Sequence, residues 1–210
     1  MEMFPMVLKL HQRPCLVVGA GTIALPKIES LLRAGAAVTV IAPQAKPELV
    51  KAAEDGRIRW IERAFTPSDL NGIFLVIAAT DQQPVNHQVA QAARAHNILC
   101  NSVDDPPDCD FFYPSVVRRG DLQIAISTAG KSPALAQRLR AEIDALLDDE
   151  VGQWLDALGE TRLRILRHFP LSDERKQALH LLAQRKTCSP QDCPVQTMLA
   201  QAERAQKPAQ

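Results

Sequence analysis

Four short aliphatic runs set the strongest limit on how this chain can fold: CLVVG at 15–19, AVTVIA at 37–42, IFLVIAA at 73–79 and ILCNSV at 98–103. None alternates polar with apolar residues, so a sheet built from them must be covered on both faces. Stretches of helical periodicity, such as PVNHQVAQAARAH at 84–96, lie between them and can supply that cover. RIRWIE at 57–62 fits a further strand. The alternation predicts an α/β fold with a parallel sheet.

After the last of these strands the sequence turns to DDPPDCD at 104–110, an acidic, proline-rich loop. YPSVVRR and LQIAIST, separated by Gly120-Asp121, then read as a hairpin. From Ser132 onward the pattern is helical. Leu135, Leu139, Ile143, Leu146, Leu147, Val151, Trp154, Leu155 and Leu158 keep an apolar stripe. A further helix is expected from Ser172, with Asp173 and Glu174 in its first turn, to about Gln184. The polar stretch after Lys186 reads as a loose tail with room for one short helix. No internal repeat is visible.

The 24 basic and 24 acidic residues balance to zero, which argues against a broad nucleic-acid footprint or a polybasic membrane anchor. The longest apolar stretch, GIFLVIAA at 72–79, is too short to span a bilayer, and no secretory signal is visible at the start. A cytoplasmic location is the default expectation. Cys15 and Cys100 fall in or beside strand patterns and read as buried thiols. Cys188 and Cys193 lack partners at zinc spacing. The histidines at 11, 87, 96, 168 and 180 form no ligand pair and read as surface or core filler, so no resident metal is expected.

Gly19-Ala20-Gly21-Thr22-Ile23-Ala24 fits G-x-G-x-x-G/A between the first strand and the first helix. Gly19 permits the tight turn, Gly21 removes a side chain where a pyrophosphate would approach, and Ala24 lets helix and strand pack closely. The helix N-terminus adds N–H donors and positive potential. These features predict a dinucleotide-binding, Rossmann-like sheet. One element is missing: the second strand ends in Ala42-Pro43, where an acid usually holds the ribose. The ribose hydroxyls must then meet backbone groups or side chains such as Gln44. Lys46 is either a partner for a 2′-phosphate or, as preferred here, a solvated helix-start residue. The residues alone do not separate NAD from NADP.

Thr80-Asp81 ends the third run at the carboxyl edge, where open α/β sheets bind ligands; Asp81 alternatively caps the next helix. Asp104, Asp105, Asp108 and Asp110 crowd the loop after the fourth run. The loop is either a plain turn or holds a general base. Asp104, directly after the strand, is the best-placed candidate. The next segment reverses the charge with Arg118, Arg119, Lys131, Arg138 and Arg140. Within TAGKSPALAQRLR, Ser132 reads as an N-cap and Pro133 as the first helical residue. The segment suits an anionic ligand or forms a solvated basic face.

VVGAGTIALPK, IAATDQQPVN, CNSVDDPPDCDFFYPS and ISTAGKSPALAQRLR together resemble the dehydrogenase-chelatase module of siroheme synthase over about residues 1 to 150. With no methyltransferase sequence following, the resemblance is to the free-standing form. It implies NAD-dependent oxidation of precorrin-2 to sirohydrochlorin, insertion of ferrous iron to give siroheme, and a homodimer. Gly19, Gly21, Thr22 and Ile23 would cradle the pyrophosphate, and Pro43 with Gln44 would line the adenosine end, because this family also lacks the ribose acid. Thr80 and Asp81 join this cofactor set. Asp104 aligns with the aspartate implicated in both reactions. Arg118, Arg119, Lys131, Ser132 and Arg138 would meet the carboxylates of the tetrapyrrole.

The implied organisation is an NAD-binding domain over 1–113, a dimerisation segment over 114–150, a small all-helical domain over 151–186, and the tail over 187–210. Ala20 and Pro26 depart from the family's G-G-G-x-V-A-x-R-K turn, while Lys27 keeps it. Thr128 stands where a serine is often found. A dehydrogenase without chelatase activity is the near alternative. A non-catalytic dinucleotide sensor is the distant one.

Overall fold

A computed structural model describes residues 3–184 and 194–205. Cys188, Cys193 and the rest of 185–193 lie outside the described residues, as do 206–210.

The chain forms two compact units. The first comprises Met1–Tyr113 together with Ala129–Lys131, and the second Pro114–Thr128 with Ser132–Gln210. In the first, strands β1 (Pro14–Val18), β2 (Ala37–Ile41), β3 (Arg59–Ile61), β4 (Leu75–Ala78) and β5 (Leu99–Ser102) pair in parallel in the order β3-β2-β1-β4-β5. Helices α1 (Ala24–Arg33), α2 (Pro47–Glu54) and α3 (Gln83–Ala95) supply the crossovers. The order reverses between β1 and β4, which makes the crevice at their carboxyl ends the natural ligand site.

Two apolar clusters flank the sheet, as the aliphatic runs require. Alternate strand residues divide between them: Val17, Val40 and Ile77 pack with Ile28 and Leu31 of α1, whereas Leu16, Val76 and Cys100 pack with Val89 and Ala93 of α3. Each fully buried aliphatic side chain stabilises the fold by roughly 1.5–3 kcal/mol relative to exposure.

In the second unit β6 (Ser115–Arg119) pairs antiparallel with β7 (Leu122–Ile126) around Gly120-Asp121, followed by α4 (Pro133–Leu146). Ser132 caps α4 by accepting from the Leu135 N–H at 3.2 Å. The apolar stripe of the sequence does not run on as one helix. Leu147 adopts extended backbone (φ −99°, ψ 122°), and α5 (Val151–His168) starts afresh, because Asp148-Asp149-Glu150 gives no apolar face to continue the packing.

Ser172 caps α6 (Asp173–Leu182) through the Arg175 N–H. The tail's one short helix, for which the sequence left room, is α7 (Pro194–Ala205). Val195 and Leu199 are fully buried against Ile165, Ala178 and Leu182, so apolar closure of a three-helix cluster outweighs the polar composition. No helix among the described residues is long and apolar enough to cross a membrane.

Candidate functional site

The register Val18↔Ala78 and Val18↔Ile41 brings the ends of β1, β2 and β4 level, and Ala78↔Ser102 adds β5. The loops carrying Gly19 to Ile23, Pro43-Gln44, Thr80-Asp81 and Asp104 therefore all leave one edge of the first unit. Gly19 has φ +105°, and its N–H donates to the Ile41 carbonyl at 2.9 Å. A Cβ there would lie 2.3 Å from the Ala79 carbonyl oxygen, so only glycine fits.

Gly21 differs. A Cβ built on it meets nothing within 4 Å. Thr22 and Ile23 are exposed beside it, and no side chain caps α1. The turn thus leaves open approach to uncapped helical N–H groups, a cradle that suits a dinucleotide's pyrophosphate. The residues present fit that group.

At the end of β2, the Lys46 N–H donates to the Ala20 carbonyl at 3.2 Å, fastening this loop to the glycine turn. Trp60 Nε1 donates to the Ala42 carbonyl at 3.1 Å, and Pro43 and Gln44 are exposed beyond it.

Thr80 is held by a residue that pattern reading missed. Buried Asn86 accepts from the Thr80 N–H (3.1 Å) and hydroxyl (2.7 Å), and donates from Nδ2 to the Thr80 carbonyl (3.0 Å). The only signal was the asparagine in QQPVN, on a face of α3 otherwise buried as Val89, Ala90 and Ala93. Asp81 is exposed, and the N-cap of α3 is Gln82, with no side-chain cap bond, so Asp81 does not cap that helix.

The four aspartates of the β5 loop have different surroundings. Asp110 Oδ2 accepts from the Cys100 N–H at 2.9 Å while its own N–H returns to the Cys100 carbonyl at 2.8 Å. Asp108, 7% exposed, meets His87 Nδ1 at 2.5 Å and Arg94 Nη2 at 3.6 Å. Asp105 is half-buried near them. Asp104 is exposed, and no described residue hydrogen-bonds or ion-pairs with its carboxylate. Its φ of +60° turns the backbone into the left-handed region that aspartate and asparagine tolerate.

Lys27 of α1 stands close enough for its charge to be felt at Asp104. Burial lowers the ammonium's pKa and the negative charge of Asp104 opposes that shift. Lys27 Nζ also sits 4.6 Å from the centre of the Tyr113 ring.

The expected anion-binding residues are divided between the units. Lys131 belongs with the first unit, while Arg118, Arg119, Ser132 and Arg138 belong with the second. Arg118 is exposed. Arg119 is committed to its own unit: Nη1 bonds Asp144 Oδ1 at 2.8 Å, and Nη2 bonds the carbonyls of Asp144 (3.1 Å) and Leu147 (3.3 Å). Arg138 pairs with Glu142 at 3.2 Å, on the exposed face of α4. The Ser132 N–H donates to Thr128 Oγ1 at 3.1 Å, and Ala129 (φ +52°) and Gly130 (φ +78°) make the turn between them.

Comparison with known proteins agrees with this geometry. Residues 6–115 match the family described as "Putative NAD(P)-binding", and residues 119–146 match "Sirohaem biosynthesis protein central". A siroheme synthase of Methylobacillus flagellatus is 43% identical over 176 residues, 84% of this chain and 38% of that protein. Siroheme synthase 1 of Cronobacter sakazakii is 44% identical over 164 residues, 78% of this chain and 35% of that protein. The chain thus spans less than two fifths of the length of these relatives. A solved structure titled "SirC, precorrin-2 dehydrogenase" superposes with a TM-score of 0.77 at 30% identity, covering 96% of this chain and all of that one.

Proposed function

The chain belongs to the family of the siroheme synthase N-terminal module, and from that membership we propose that it oxidises precorrin-2 to sirohydrochlorin with NAD, then assists insertion of ferrous iron. The observation that carries this reading is Asp104: an unpaired carboxylate on the same sheet edge as a glycine turn that fits a dinucleotide.

NAD, when bound, supplies the acceptor for the hydride leaving the macrocycle. Uncapped N–H groups at the start of α1 hold the pyrophosphate, and the loop at Pro43 and Gln44 receives the adenosine end. Asp104 takes the proton that departs with the hydride, so the substrate loses two electrons and two hydrogens in balance. Ferrous iron, a substrate of the second step, displaces two pyrrole N–H protons, and the same carboxylate can accept them in turn. Lys27 keeps a positive charge near Asp104 without closing an ion pair on it. Arg118 and Lys131 are exposed cations available to substrate carboxylates. A homodimer in the cytoplasm completes the proposal, checked by light scattering and cell fractionation.

Anaerobic turnover of precorrin-2 with NAD tests the reading. Asp104→Asn, which keeps a residue at ease in the left-handed region, should slow oxidation by about 100-fold or more with dinucleotide affinity unchanged. Unchanged turnover would remove Asp104 from the chemistry. Oxidation without acceleration of iron insertion would leave a dehydrogenase alone. Dinucleotide binding with no turnover in the wild type would leave only a sensor.

A further inference from the structure

His87, Asp105 and Asp108 bring one ring nitrogen and two carboxylates together, with ligand atoms all within 4.8 Å of one another. They come from α3 and from the 3-10 turn Pro106–Asp108 that follows Asp105, in the same compact unit. We propose that this trio is a docking site for the divalent metal substrate, loading ferrous iron one residue along the chain from Asp104. The inference rests on the chelatase half of the function proposed above.

The donor set suits the cargo. Imidazole with carboxylates favours Fe²⁺ and neighbouring divalent ions, and two carboxylates neutralise the charge. One divalent ion at ordinary ligand distances spans roughly 4 Å between opposite donors, so the trio needs only a small adjustment to close on it. Asp108 is held in the protein, 7% exposed, while His87 is exposed and can turn.

A second group prepares the histidine. In the structure His87 Nδ1 meets the Asp108 carboxylate, so the ring proton sits on Nδ1, and Gln91 Nε2 lies 2.8 Å from His87 Nε2. Metal at Nδ1 requires the other tautomer, with the proton on Nε2. Gln91, one helical turn along α3, meets that demand by turning its amide over to present oxygen. A metal-bound histidine ordinarily has such an outer partner.

The site is also built to release. It offers three protein ligands and keeps the remaining coordination positions open, and the Arg94 guanidinium stands 3.6 Å from the second oxygen of Asp108. That cation competes with a metal and weakens binding. Tight capture would defeat delivery to a macrocycle, whereas a weak site on the loop that carries Asp104 does not. Sequence spacing gave no sign of this trio, since the ligands are 18 and 21 residues from His87 and only the packing of α3 against the loop unites them.

Cobalt(II) titration of the metal-free full chain under anaerobic conditions tests the site, followed by calorimetry and by the visible d–d absorption of the bound ion. One saturable ion per chain is expected. His87→Gln and Asp105→Asn should each weaken binding at least about tenfold, and Arg94→Gln should tighten it. Melting of each variant without metal shows whether it is folded, and the cobalt-induced rise in melting temperature should vanish in the first two. Equal cobalt affinity in wild type, His87→Gln and Asp105→Asn would overturn the site, as would no saturable binding in the wild type. Ferrous iron insertion into sirohydrochlorin, assayed on the same wild-type preparation, keeps the two ideas apart. Insertion without cobalt binding sinks the metal site alone, and cobalt binding at the trio without any insertion sinks the chelatase reading and the delivery role with it.

Discussion

Gly19 and Ala79 approach so closely at the ends of β1 and β4 that a β-carbon on the former would lie 2.3 Å from the carbonyl oxygen of the latter. Gly19→Ala must displace that carbonyl and hold alanine at φ +105°. It should destabilise the protein by roughly 2–4 kcal/mol. Gly21→Ala meets no neighbour, so stability should change by less than about 0.5 kcal/mol while NAD affinity falls. Urea unfolding beside dinucleotide titration separates the two glycines. Equal loss of stability in both would contradict the division of labour.

Asn86 satisfies all three polar groups of Thr80 from a buried position. Asn86→Ala leaves the Thr80 N–H and carbonyl without their partner and should cost roughly 1–3 kcal/mol. NAD affinity should fall as well, because the loop after β4 loses its anchor. Chemical denaturation and fluorescence titration read both effects.

Arg118 and Arg119 are adjacent but differently employed. Arg119→Ala removes the ties to Asp144 and Leu147 and should lower stability by roughly 1.5–3 kcal/mol. Arg118→Ala should leave stability within about 0.5 kcal/mol of wild type and raise the KM for precorrin-2. Thermal melts and steady-state kinetics distinguish them.

The Arg63 guanidinium grips both oxygens of Asp69, at 2.5 and 2.8 Å, and holds its carboxyl below the usual carboxylate range, helped by the Thr66 N–H at 2.8 Å. A lowered folded pKa gives stability that is present above the unfolded value, about 4, and is lost as pH falls through the folded one. Much of Arg63 is exposed, so the ion pair itself counts for little. Asp69→Ala should therefore destabilise modestly, by roughly 1 kcal/mol at neutral pH through the lost hydrogen bonds. The gap from wild type should close under acid, as measured by denaturation across pH 2–7. A gap that widened with acidification would reverse the assignment.

Burial pushes the thiols of Cys15 and Cys100 up to about 11 and about 12. Both stay protonated at neutral pH and are inert as nucleophiles. Mass-spectrometric mapping after iodoacetamide treatment should find these two unmodified in the native protein and labelled only after unfolding.

The sheet was readable because Leu16, Val17, Val76 and Ile77 belong to runs with no polar break, and such runs fit little except a strand covered on both sides. Ser132 was readable as a cap and Ser172 as a helix start because serine there makes a local bond that needs no tertiary partner. The roles of Asn86, Arg119 and His87 were not, since each takes its meaning from groups brought near by packing. The tail had room for one short helix, but the packing of α7 was not legible for a related reason: Val195 and Leu199 look sparse along the chain, yet both fall on the one face that closes a cluster. The glycine turn was legible as a motif, but the separate duties of Gly19 and Gly21 appear only once β4 stands beside β1.

Ala129–Lys131 rejoin the compact unit that otherwise ends at Tyr113, so the border between the two units is crossed more than once by the chain. A graft of this unit onto another protein that stops at residue 113 would leave behind its last three members, including a lysine. Transplanting it intact means carrying the whole β6–β7 ribbon as an insert, which makes the Gly120-Asp121 bend, not the break after Tyr113, the place to splice in foreign sequence.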